Sequence, residues 1–142
     1  MKDVYIAKEH LINNNLNLVL VKDGEVIEES TVRGIKPIFE AYNNSPEKLI
    51  GASVADRVIG KAAALFLVNG KIKSLYTDLI SDIAYEILID NKVEVSYLKK
   101  VPMILNRTGD DMCPIEKLSS NTDDFNKIIE DIKAFLINIK AI

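Results

Sequence analysis

Apolar residues along the chain follow two periods, and the switches between them divide it into elements. In "DVYIAKEHLI", residues 3–12, Val4, Ala7, Leu11 and Ile12 share one face at helical spacing, which predicts a short amphipathic helix. "LNLVLVKDGEVIEES" holds two β-rich runs around Asp23-Gly24, a pair that supplies the positive φ angles of a type I′ turn and predicts a hairpin. "RGIKPIFEAYNNSPEKLIG" carries Gly34, Pro37 and Pro46, and a short helix over residues 37–42 begins at its proline. "SVADRVIGKAAALFLV", residues 53–68, reads as one helix with almost no water-facing side, ended by Asn69-Gly70.

Beyond it, "KIKSLYT" predicts a strand and "SDIAYEILIDN" a helix with Ile83, Ala84, Ile87 and Leu88 on one face. "KVEVSYL" alternates as a further strand. "VPMILNRTGDDM" is irregular, and "CPIEKLSS" predicts a short helix. Thr122 stands where it caps a last helix whose stripe is Phe125, Ile128, Ile129, Ile132, Phe135, Leu136 and Ile139. Asp123 and Asp124 at its start and Lys140 near its end suit the helix dipole. Strands alternating with helices require right-handed parallel crossovers, so the expected fold is a three-layer α/β/α sandwich. The hairpin makes its sheet mixed.

The length of 142 residues fits one domain, residues 1–142, large enough for a core without disulfides or metals. A net charge of -3 gives no general pull toward nucleic acid or anionic lipid, and Lys99-Lys100 is too short for a basic patch. No apolar run approaches the ~20 residues that cross a bilayer, and the N-terminus lacks a signal-peptide core, so the expected location is cytoplasmic. One cysteine, Cys113, and one histidine, His10, are a poor set of metal ligands, and no cofactor is expected. His10 reads as a partly exposed helix residue.

The charged start of the 53–68 segment invites the closest weighing. Ser53 and Asp56 have the S-x-x-D spacing of a capping box. Asp56, Gly60, Ala63, Ala64 and Leu67 fall on one side of a helical wheel, a seam of small residues suited to close packing on a sheet. Arg57 and Lys61, four apart, are either solvated at the helix edge or turned toward an anion. Cys113 precedes Pro114 and Glu116 at a helix start, where a thiol's pKa can fall. With no histidine near in sequence to serve as its base, a structural role is the favoured reading. "NRTGDDMCP", residues 106–114, is a polar irregular loop of the kind that carries binding residues on rigid scaffolds. Thr77, Asp78 and Ser81 follow a strand at a place where open α/β sheets bind ligands, although turn and capping chemistry explains them as well.

"GASVADRVIGKAAALFLV", with "RGIKP" before it and "CPIEKL" after it, closely resembles the domain of unknown function 1893 family over residues 3–135. The resemblance implies a cytidine-deaminase-like fold with the segment from Ser53 packed as a central helix under the hairpin. It supplies no reaction. In the wider superfamily, zinc deaminases look like His/Cys-x-Glu at the start of a central helix and Pro-Cys-x-x-Cys at the start of the helix after the next strand. The corresponding residues here, Ser53-Val54-Ala55-Asp56 and "TDLISD", offer no thiol or imidazole. Zinc-dependent deamination is not expected.

The leading expectation is a metal-independent small-molecule-binding domain, or a non-zinc enzyme, taking a nucleotide or small anionic metabolite. Its site would gather Ser53, Asp56 and Lys61 with Asn106, Arg107, Cys113 and Glu116. Lys61 and Arg107 would supply positive charge, Asp56 and Asn106 hydrogen bonds, and Glu116 an acid–base group. The rival expectation is a non-catalytic interaction or structural module. Homodimerisation is expected by analogy, because deaminase-like domains commonly self-associate.

Overall fold

The computed structural model describes residues 2–142. Helix α1 (Asp3–Asn13) leads into the hairpin strands β1 (Leu18–Lys22) and β2 (Glu25–Ser30), joined by Asp23 and Gly24 at φ 50° and 81°. Both positive angles match the expected type I′ turn. Helix α2 (Lys36–Asn44) carries proline in its first turn. Strand β3 (Ser53–Ile59), helix α3 (Lys61–Asn69), strand β4 (Ser74–Ser81), helix α4 (Asp82–Asp90) and strand β5 (Glu94–Val101) follow, then α5 (Pro114–Ser120) and α6 (Phe125–Asn138).

The sheet order is β2-β1-β3-β4-β5. β1 pairs antiparallel with β2 and β3, whereas β3, β4 and β5 run parallel. One face carries the main core, in which Leu18, Leu20, Val54 and Leu75 meet Ile38 and Phe39 of α2, Phe66 and Leu67 of α3, and Ile128 and Ile132 of α6. The other face is covered by α1, whose Val4, Ala7 and Leu11 pack on Val19, Val21, Ala55 and Tyr76. Alternate residues of one strand thus serve opposite layers, and the three-layer mixed sandwich is present.

The segment from Ser53 departs from expectation. Its first seven residues are a strand in the middle of the sheet, and only Lys61–Asn69 is helical. The capping box of Ser53 and Asp56 therefore does not exist. Ser53 shares a buried hydrogen bond of 2.7 Å with the Ser74 hydroxyl across the β3–β4 pair. The expected helical seam is split, Asp56 lying in the strand, Gly60 at the cap of α3, and Ala63, Ala64 and Leu67 buried within α3. Instead of packing a helix under the hairpin, the segment pairs directly with β1.

The physical reason is coverage on both sides. A parallel strand buried on both faces loses its polar alternation and reads as a continuous run, much as a buried helix does. Four smaller differences have local causes. The strand after α3 begins at Ser74 and runs on to Ser81, since its parallel pairing with β5 extends that far. The left-handed residue after α3 is Lys71, at φ 65°, while Gly70 stays right-handed at φ −76°. α6 is capped by Asp124, whose carboxylate accepts from the N–H groups of Asn126 and Lys127, and Thr122 instead accepts from the Asp124 N–H. Ile12 and Ile139, placed on buried stripes by spacing, are about half exposed, because Ile12 stands in the last turn of α1 and Ile139 just past the end of α6.

Candidate functional site

Pairing between β1 and β3 stops at Asp56, opposite Leu18, while β3 continues along β4 to Ile59. The sheet therefore opens on one side of β3 near its carboxyl end, where antiparallel hairpin meets parallel strands. Crevices at such points are the usual ligand sites of open α/β sheets. Beyond the last β1 partner, the N–H groups of Arg57 and Val58 are taken by the Asp56 carboxylate, whose Oδ1 accepts them at 2.6 and 3.4 Å.

A cleft of about 470 Å³ counted out to its open mouth lies here. Its walls are Gly34, Ile35 and Ile38 from α2 and its approach, Asp56 and Val58 of β3, Gly60 and Ala63 at α3, Ile104, and Cys113, Ile115 and Glu116 at α5. The lining is mostly aliphatic, yet it includes two carboxylates that are each only 7% exposed. Burial drives the Asp56 pKa up to about 8, against the opposing pull of the two backbone hydrogen bonds and the Arg57 charge. Burial likewise raises that of Glu116, opposed by a hydrogen bond from the Lys61 N–H and by the Lys61 charge.

Glu116 closes the end of α3 from outside. Its Oε1 accepts the Lys61 N–H at 2.8 Å, filling a role that no side chain of the α3 cap performs. Gly60 makes this approach feasible, since a Cβ there would stand 1.9 Å from Glu116 Oε1 and 2.6 Å from its Cδ. The glycine expected as part of a helical seam is thus a space for an acid from another element.

A second, polar hollow adjoins the cleft and shares Gly34, Asp56 and Val58 with it. Asn15, Asn17, Arg33 and Arg57 complete its lining. Arg57 is held by its neighbours: Nε donates to the Leu16 carbonyl at 2.9 Å, Nη2 to the Leu11 carbonyl at 3.2 Å, and Nη1 to Asp78 Oδ2 at 3.0 Å. Arg33 is exposed and makes no hydrogen bond or ion pair among the described residues.

Of the residues singled out in the sequence, Asp56, Cys113 and Glu116 share the cleft. Ser53 stands at the opposite end of β3, beside Ser74. The Lys61 ammonium turns away to Asp123 and the Thr122 carbonyl at 2.8 and 3.0 Å, so only its backbone N–H reaches the site. Asn106 is spent on its own turn, bonding Thr108 and Asp110, and Arg107 is exposed on the same loop outside the cleft lining. The expected cations are therefore elsewhere, because the loop folds on itself and α6 supplies an acid for Lys61. Thr77 donates to the Leu79 carbonyl, Asp78 receives Arg57 and Tyr76, and Ser81 caps α4, so all three are engaged within the protein. Gly34, Ile35, Ile104 and Arg33 escaped notice as site residues. The sole available signal was Gly34 beside Arg33 in "RGIKP", a left-handed glycine at φ 87° with open space before it.

Among the described residues, no three His, Cys, Asp or Glu side chains converge to hold a metal ion. The donor set thus does not fit zinc. The helix following β3 starts at Gly60-Lys61-Ala62, and Ser53–Asp56 is strand, so neither place offers a thiol or an imidazole.

Architecture and cleft together define an α/β domain of a family without an assigned activity. The chain belongs to the family described as domain of unknown function DUF1893, which it matches over residues 6–136. It is similar to the crystal structure of a DUF1893 family protein from Thermotoga maritima, with 32% identity and a TM-score of 0.83 over 93% of this chain and 88% of that one. Two forms of Acinetobacter baumannii RibD align more weakly, at 17 and 20% identity and TM-scores of 0.48 and 0.47. They cover 67 and 68% of this chain but only 34 and 33% of theirs. No curated protein matches the chain. No helix among the described residues is long and apolar enough to cross a membrane.

Proposed function

We propose that this chain is a metal-independent small-molecule-binding domain, or an enzyme using acid–base chemistry, whose ligand is nucleotide-like. One observation carries the reading: two carboxylates more than nine-tenths buried face a cleft of aliphatic side chains at the carboxyl end of β3. Each ties one oxygen to backbone N–H groups, and the other oxygen has no hydrogen-bond partner among the described residues. Burying an acid against apolar walls costs stability that hydrogen bonds offset only in part, and a cleft holding two such perturbed acids is a candidate site.

The chemistry constrains the ligand. A flat apolar ring suits Ile35, Ile38 and Ile104, and its polar edge would exchange hydrogen bonds with Asp56 and Glu116. No cation lines this cleft, so a phosphate belongs in the adjoining hollow, where Arg33 is unengaged and Arg57 is fixed. Burial favours the neutral carboxyl of Asp56, which can donate a hydrogen bond to the ligand, and the Glu116 carboxyl is a second hydrogen-bonding group on the same cleft. The test is a thermal-shift and calorimetric panel of nucleosides, nucleoside monophosphates and inorganic phosphate. Binding of a monophosphate stronger than that of its nucleoside, weakened by roughly tenfold or more in both Arg33→Ala and Asp56→Asn, supports the reading. A panel without a single binder overturns it.

A further inference from the structure

We propose that the part of the ligand entering the cleft is an amidinium-type edge: a flat, positively charged group whose N–H donors sit on nitrogens of one carbon, taken up by Asp56 and Glu116. With the cleft as the ligand site, on which this rests, the lining dictates the character of what fills it. The polar side chains described there are Asp56, Glu116 and the Cys113 thiol, and the rest is aliphatic or glycine. Nearby cations are turned elsewhere. Arg57 is spent on the Leu11 and Leu16 carbonyls and Asp78, and the Lys61 ammonium on Thr122 and Asp123.

Each carboxyl, although more than nine-tenths buried, keeps one oxygen for a partner from outside. Asp56 Oδ1 accepts the N–H groups of Arg57 and Val58, and Glu116 Oε1 accepts that of Lys61. Oδ2 and Oε2 have no such partner among the described residues. Every fully buried side-chain nitrogen or oxygen described has one, so these two oxygens are not sealed in the core but open outward. A carboxylate or phosphate brought here would meet two acids and no cationic side chain. An ammonium is compact and strongly hydrated, and ill matched to flat aliphatic walls. An amidinium spreads its charge over a plane, turns in-plane N–H groups to carboxylates in charge-assisted hydrogen bonds, and lays its faces on Ile35, Ile38 and Ile104.

Binding such a cation moves a proton. Burial holds the Asp56 pKa up to about 8, Arg57 of its own strand opposing and Asp78 of β4 assisting. Glu116 and Cys113 share its cleft, and Arg33 lines the adjoining hollow. A cation beside the carboxyl favours its charged form, so below pH 8 the Asp56 proton leaves for solvent as the ligand arrives, and no bond of the ligand breaks. Affinity then climbs between pH 6 and pH 8 by up to roughly tenfold per unit, the slope of one released proton.

Titration calorimetry of the full chain with benzamidine, benzamide and benzoate tests this, since the three share a shape and differ in charge and donors. Benzamidine is expected to bind at least about tenfold tighter than benzamide at pH 8, and benzoate not at all. At pH 6, buffers of different ionisation enthalpy should show benzamidine binding with release of a proton. Asp56→Asn, whose amide oxygen still accepts both N–H groups, is expected to abolish that release and weaken binding roughly tenfold. Glu116→Gln should weaken binding and keep the release. Benzamidine that does not bind, binds no better than benzamide, or is indifferent to both variants, as a surface contact would be, overturns the proposal. A nucleoside monophosphate that binds where benzamidine does not also overturns it and leaves the cleft as the ligand site, whereas silence from every probe removes both readings.

Discussion

Asp56 makes folding depend on pH in a direction opposite to that of most surface acids. Its pKa is raised on folding, so the neutral carboxyl is the form the native state favours. The associated stability is fully present below the ordinary carboxylate pKa of 3.8 and declines as pH rises toward about 8, at up to about 1.4 kcal/mol per unit. Glu116 shifts in the same direction. Urea unfolding at pH 5 and pH 8 checks this: Asp56→Asn should flatten the decline, since the amide oxygen still accepts the Arg57 and Val58 N–H groups without a charge to bury. At the neighbouring wall, Gly60→Ala forces the Glu116 carboxylate off the end of α3. A loss of about 1–3 kcal/mol is expected, and much of it should vanish when Glu116 is already alanine, as a double-mutant cycle would show.

At the scale of elements, α1 is joined to the sheet by a polar bolt as well as an apolar seam. Arg57 of β3 reaches two carbonyls at and just beyond the end of α1 and pairs with Asp78 of β4, which also accepts the Tyr76 hydroxyl at 2.6 Å. The fork of the guanidinium serves three acceptors at once, which an ammonium cannot copy. Arg57→Lys should therefore cost about 1–3 kcal/mol and lower hydrogen-exchange protection in α1 before it does so in α3. The hairpin, α4, β5 and α6 were legible because each shows its solvent side: a turn dipeptide, a polar face, an alternating run. β3 was not, because α1 lies over one side of it and the main core over the other, leaving no polar rhythm in "SVADRVI". The polar part of the candidate site was legible for a related reason. Asp56, Cys113 and Glu116 are polar residues in improbable company, which a sequence displays. The aliphatic walls contributed by α2 and Ile104 look like any core, and only folding reveals which apolar residues stop short of closing over.

For the whole molecule, the mixed sheet divides labour. Three parallel strands and their helices build the large core, while the antiparallel hairpin widens the sheet and, by ending its pairing at Asp56, opens the crevice. A disulfide introduced as Val19→Cys with Ala55→Cys, facing positions of the same ladder on the α1 side, would lock the two strands together just short of the crevice while leaving Asp56 in place, and the oxidised form is expected to melt higher than the reduced form, as calorimetry of the two would show.

The single helix over the second sheet face has a consequence for synthesis. α1 is made before every strand it covers, and its last apolar seat, Tyr76, belongs to β4. While a ribosome is still extending the chain through the hairpin, α2, β3 and α3, the stripe of Val4, Ala7 and Leu11 has no complete seat. During that interval the stripe stays exposed, and a translational pause before β4 would prolong its exposure more than a pause anywhere after it.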